Sequence, residues 1–103
     1  MARHVVAPVG EIPAGGCKLV SIGNRAIVVF NVNGEFFALN NRCPHKGGRL
    51  SEGEFVNGVI VCPNHRWEFC AHSGRGINPA GAQLNRYAVQ IVDGRILIAA
   101  RTP

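Results

Sequence analysis

Two short stretches, "RCPHKGGRL" from Arg42 and "VCPNHRWEF" from Val61, each set a Cys and a His a few residues apart beside a Pro. The pattern is Cys43-x-His45, then sixteen residues, then Cys62-x-x-His65. A thiolate and a neutral imidazole are strong protein donors for zinc and iron. Two such pairs, carried on loops linked through a hairpin, can converge on one metal centre. Structural zinc sites usually pair like with like, two Cys on one turn and two His on another. Two mixed loops facing each other match that habit poorly. Cys43, His45, Cys62 and His65 are the candidate ligands.

Short strands and tight turns must position them. Asn33-Gly34 joins "AIVVFNV" to "EFFAL", Asn57-Gly58 joins "EFV" to "VIVC", and Asp93-Gly94 joins "YAVQIV" to "RILIAA". Such dipeptides accept the positive φ angles of two-residue hairpin turns. Tyr87, Val89 and Ile91 alternate with Ala88, Gln90 and Val92 in a half-buried strand pattern. No segment carries a sustained helical apolar period, and 13 glycines with 6 prolines favour strands and loops. The expectation is an all-β chain of one domain, 1–103. Its middle, about 41–79, holds both Cys–His pairs and the only Trp, and reads as a metal-binding lobe on a β-scaffold formed by 1–40 and 80–103.

Composition removes several classes of function. At 103 residues and 47% hydrophobic the chain suits one small folded domain. A bound metal would add stability that a modest core lacks. No apolar run is long enough for a signal peptide or a membrane span, so the expected location is the cytoplasm. In that compartment four cysteines argue for metal or catalysis over disulfides. The formal charge of +5 and pI near 9.6 allow an acidic partner surface. The basic residues are scattered, which argues against nucleic acid. No general acid–base pair and no nucleophile with its base is visible, so the chain is not expected to be an enzyme.

The segments "CPHKGGRLSEGE", "CPNHRWEF", "SGRG", "NPAG" and "LNRYAVQIVDGRILI" together resemble the Rieske ferredoxin family, from about Val9 to Ile98. The nearest type is the small ferredoxins of bacterial aromatic-ring dioxygenases. In a Rieske centre two His replace two Cys on one iron of a 2Fe–2S cluster. The resemblance implies a small antiparallel β-sandwich base with an inserted cluster-binding lobe. It implies one 2Fe–2S cluster, with Cys43 and Cys62 on the inner iron and His45 and His65 on the outer, solvent-facing one. It also implies a one-electron carrier, fed by an NAD(P)H-dependent flavoprotein reductase and discharging to a terminal ring-hydroxylating oxygenase. Two alternatives stand beside it: a Rieske small subunit of a complex such as assimilatory nitrite reductase, and a structural zinc-binding interaction module.

High-potential members of the family tie their cluster loops with a disulfide and place Ser and Tyr hydroxyls after the second His. This chain has Pro63-Asn64 with Gly47 and Gly48 at the former positions, and Trp67 and Phe69 at the latter. Hydrogen bonds to sulfur stabilise the added electron, so their absence predicts the low end of the Rieske range, near about −150 mV.

Other residues carry weaker expectations. Arg42, Lys46, Arg49, Arg66 and Arg75 fall near the lobe against Glu52, Glu54 and Glu68. Arg66 stands where relatives carry Gly, and reads either as a steering charge for an acidic partner or as a solvated surface arginine. Cys17 reads as a filler and Cys70 as structural. His4 and His72 read as solvent-facing, and Trp67 as core packing beneath the second loop. Pro79 reads as a shielding-loop proline or an ordinary turn. Gly47, Gly48, Gly74 and Gly76 would allow close backbone approach, or simply turns.

Overall fold

Tight turns set the register. The computed structural model describes residues 2–42, 49–63, 66–78 and 80–100. Asn33, Asn57 and Asp93 take φ of 52°, 53° and 52°, followed by Gly34, Gly58 and Gly94 at 93°, 77° and 74°. Positive φ at both central residues gives the turn whose twist matches the strands it joins, so all three expected hairpins form. A fourth, through Gly23-Asn24, pairs Ile22 with Arg25. The sequence reading passed over it, although Gly-Asn between two β-branched runs is itself a hairpin signal.

The strands are β1 (Ala2–Pro8), β2 (Cys17–Ile22), β3 (Arg25–Val32), β4 (Glu35–Asn40), β5 (Glu54–Val56), β6 (Val59–Val61), β7 (Glu68–Cys70), β8 (Arg75–Asn78), β9 (Ala80–Gln83), β10 (Arg86–Val92) and β11 (Arg95–Ala100). Among the described residues the only helical elements are two 3-10 turns, Val9–Glu11 and Leu50–Glu52. The chain is all-β, as expected. No helix among the described residues is long and apolar enough to cross a membrane.

The strands form two antiparallel sheets, ordered β1-β11-β10-β4-β3-β2 and β5-β6-β7-β8-β9. In the first, β10 meets β4 only at Arg86↔Leu39 and Tyr87↔Ala38, so the sheet behaves as two three-stranded leaves joined at one corner. Between the leaves lies a core of Ile22, Ile27, Val29, Ala38, Ile96 and Ile98. The intervening residues of β3 and β4, Val28, Phe30 and Leu39, point the opposite way. They form a second core with Leu50, Ile60, Cys62, Phe69, Ala71 and Leu84 of the lobe. The Phe30 and Phe55 rings meet with centroids 4.5 Å apart.

The outer edges of the first sheet, β1 and β2, face each other across a groove of about 320 Å³ lined by His4, Val6, Val20 and Ile22. Lys18 spans this seam, donating to the Val6 carbonyl at 3.5 Å and pairing with Glu11. His4 corrects an expectation. It is opposite Ile98 and therefore shares the core-facing side of β1, and its Nε2 is buried without a hydrogen-bond partner among the described residues.

Candidate metal centre

Each candidate ligand loop is fastened at its roots. The first leaves β4 at Asn41 and returns at Ser51. Asn41, only 5% exposed, closes that loop by accepting from the Ser51 N–H at 2.7 Å and donating to the Ser51 hydroxyl at 3.0 Å. Its own N–H donates to the Ala26 carbonyl at 2.9 Å, which fastens the loop base to β3. The sequence reading missed this residue. An Asn just before a loop is a weak signal, because only the fold shows which amide it meets.

The second loop leaves β6 at Cys62 and enters β7 after Trp67. The Cys62 N–H donates to the Trp67 carbonyl at 2.7 Å, closing the loop at its neck. Cys62 is fully buried in the lobe core, beside Leu50, Ile60 and Phe69, whereas Pro63 and Arg66 are exposed. The chain thus climbs from a dry thiol to solvent within four residues. Arg66 turns it back with φ +56°, a left-handed conformation that glycine adopts without penalty and other residues adopt at a cost. Trp67 is half-buried against the lobe core, as expected, its ring 6.4 Å from that of Phe69. Phe69 is fully buried.

Of the candidate ligands, Cys62 is described, whereas Cys43, His45 and His65 lie outside the described residues, as do Lys46, Gly47, Gly48, Asn64 and Pro79. Among the described residues no three His, Cys, Asp or Glu side chains gather where they could hold a metal ion. A competing site elsewhere in the described structure is therefore absent. The donor set itself fits a cluster: a buried thiol at the loop root, and a histidine in sequence beside the exposed apex.

The charges near the loops are more balanced than their count suggests. Arg66 pairs with Glu54 at 2.7 Å and Arg49 with Glu52 at 3.4 Å. These are exposed pairs, worth about 0–1 kcal/mol each in stability, but each offsets a positive charge locally. Arg75 opens β8 opposite Gln83. His72 is exposed, as expected, with its ring 4.8 Å from Phe37.

Two thiols lie away from the loops. The Ser73 hydroxyl bonds to the half-buried Cys70 thiol and holds its pKa below the ordinary value, helped by nearby backbone N–H groups and opposed by burial. Cys17 is exposed on β2, more so than expected of a filler, yet the protein around its sulfur pushes its pKa up.

Residues 2–88 match the family model for the Rieske [2Fe-2S] domain. The chain belongs to the Rieske family. The cofactor of this domain is one 2Fe–2S cluster. The Rieske chain is 37% identical over 100 residues to the 3-phenylpropionate/cinnamic acid dioxygenase ferredoxin subunit of Photorhabdus laumondii, covering 95% of this chain and 94% of that one. It is 32% identical over 94 residues to the ferredoxin component of the alkene monooxygenase system of Xanthobacter autotrophicus, covering 90% and 77%. In structure, the Rieske fold superposes with TM-score 0.89 and 25% identity on a chain from the complex of reduced oxygenase and oxidized ferredoxin in carbazole 1,9a-dioxygenase, covering 98% and 95%.

Proposed function

We propose that this protein is a cytoplasmic one-electron carrier, taking electrons from an NAD(P)H-dependent flavoprotein reductase and passing them to a terminal ring-hydroxylating oxygenase. In this reading Cys43 and Cys62 hold the inner iron of a 2Fe–2S cluster, and His45 and His65 the outer one. The chain acts as a single domain that performs no bond chemistry of its own. The observation that carries the reading is the gradient along the second loop, from the fully buried Cys62 to the exposed Arg66. The ferredoxin relatives and the oxygenase–ferredoxin complex support the choice of partners.

When bound, the cluster supplies reversible one-electron uptake near the protein surface. The chain's own residues do the rest. Leu50, Ile60 and Phe69 keep water from the Cys62 sulfur. Asn41 and the Cys62–Trp67 hydrogen bond close the two loop bases, so little rearrangement need accompany a change of charge. Trp67 and Phe69 bring no hydroxyl to a sulfur, which holds the potential toward the low end of the Rieske range. The Arg66–Glu54 pair offsets the cation that follows His65 in sequence.

The test is anaerobic purification followed by metal analysis, EPR, and reduction by a flavoprotein reductase with transfer to an oxygenase of the relatives' kind. Two irons and two sulfides per chain, and turnover-dependent reoxidation by the oxygenase, are expected. Zinc in place of iron, or a stable stoichiometric complex with a sirohaem reductase, would overturn the carrier reading.

A further inference from the structure

Gly53 stands between the two ligand loops. Its N–H donates to the Leu50 carbonyl at 3.1 Å, at the exit of the first loop. Its α-carbon presses on β6: a Cβ there would overlap the Val61 carbonyl oxygen, far inside the 3.0 Å below which real contacts of this kind do not go, and would stand 3.1 Å from Pro63 Cδ. Continuing the Glu54↔Val61 register by one residue sets Gly53 opposite Cys62.

Backbone freedom does not call for glycine here. Gly53 has φ −88° and ψ −155°, extended backbone with a negative φ. Gly74 differs, because its φ of +75° alone disfavours a side chain. Only the close approach explains the missing side chain at Gly53. Around an added methyl, restoring an ordinary contact of about 3.5 Å would part the two backbones by about 1.5 Å. A metal site tolerates displacement of only about 0.5 Å. A single methyl group therefore exceeds the tolerance of the site without demanding a different fold.

We infer that Gly53 is a positioning residue for the cluster: lacking a side chain, it fixes the separation between the Cys43–His45 loop and the Cys62–His65 loop. It acts through Val61 and Cys62 and does not itself touch the cluster. The inference rests on the ligand assignment proposed above.

The experiment compares wild type, Gly53→Ala, Gly10→Ala and Ile98→Ala, all purified anaerobically. Gly10 has nothing within 4 Å of its would-be Cβ and serves as the neutral control. Ile98 is fully buried in the scaffold core, so its truncation weakens packing away from Cys62 and from the Gly53–Val61 contact. G53A should keep the far-UV strand signal of the metal-free wild type and lose iron to a chelator about 10-fold faster or more, the scale of supporting-residue effects at metal sites. Its remaining clusters should show displaced g-values and a displaced potential. G10A should match wild type. I98A should unfold at lower temperature while its folded fraction keeps wild-type g-values and potential.

Wild-type iron retention, g-values and potential in G53A would overturn the inference. So would a G53A chain that fails to fold with or without iron, since the glycine would then serve the fold at large. I98A shifting the g-values as G53A does would overturn it as well. A wild-type preparation lacking the iron–sulfur signal would overturn the ligand assignment and the inference with it, a failure visible without any variant.

Discussion

The scaffold and the lobe solve the same problem, burying one face of a sheet, in opposite ways. The scaffold's strands run six to eight residues, three of its turns are two-residue hairpins, and its core is drawn from its own leaves. The lobe's strands run three or four residues, and its core borrows Val28, Phe30 and Leu39 from the scaffold beneath. Small isolated sheets of short strands are marginal in water. The scaffold is therefore expected to hold its structure alone, whereas the lobe is held by the floor it sits on and by what its loops bind.

Breaking the lobe at a proposed ligand tests this most severely. Replacing His65 by Ala should abolish the Rieske EPR signal, while far-UV circular dichroism retains the scaffold's strand signature. Collapse of both signals together would show that the regions are not separable. Next in size is Phe30→Ala. Removing that ring from the shared floor should cost about 3–5 kcal/mol, against about 0.5–1.5 kcal/mol for Ile98→Val inside the scaffold. Hydrogen exchange should rise first across 54–83 in F30A and across the strands of the first sheet in I98V. Equal loss in both variants, or scaffold exchange leading in F30A, would contradict the division.

Arg66→Gly has a smaller effect, of the opposite sign. Relief of the left-handed backbone is worth about 1–2 kcal/mol. The lost Arg66–Glu54 pair, exposed on both sides, costs about 0–1 kcal/mol. The variant should be more stable by about 1 kcal/mol in denaturant melts of the loaded protein, and a loss of stability would mean that the ion pair outweighs the strain.

The smallest effect contrasts one thiol from each region. The Cys70 pKa is depressed, so its contribution to stability is present above the unfolded thiol value and is lost as pH falls through the folded one. The Cys17 pKa is raised, so its contribution is present below the unfolded value and is lost as pH rises through the folded one. Iodoacetamide mapping of the loaded protein should place the half-reaction pH of Cys70 below that of Cys17, although Cys17 is the more exposed. The reverse order would remove the assigned role of the Ser73 hydroxyl.

Much of the scaffold could be read from the chain, because an Asn-Gly or Asp-Gly pair between apolar runs names its own turn. β9 could not: "AGAQ" has no strand-forming side chain, and only its pairing with β8 makes it extended. His4 was misread because the register shift between Val5 and Ala7 changes which β1 residues face inward, and nothing local announces a bulge. The family pattern of Cys–His pairs was legible because metal chemistry restricts both residue type and spacing. What supports it was not. Asn41 matters through the amide of Ser51, and Gly53 through the carbonyl of Val61, contacts that exist only once distant segments are folded together. The five cations near the lobe were countable, but the partners of Arg49 and Arg66 were not.

β3 has consequences for what this chain can tolerate. From Ile27 to Asn31 every side chain is buried, the odd positions toward one core and the even ones toward the other, with Asn31 satisfied by the Ile12 carbonyl at 2.7 Å. An ordinary half-wet strand lets a charged replacement tip outward into water; this one offers no such exit. In a saturation library selected for colour, these five sites should show the narrowest range of accepted residues outside the four proposed donors, and substitutions to Asp or Lys should be missing at all of them.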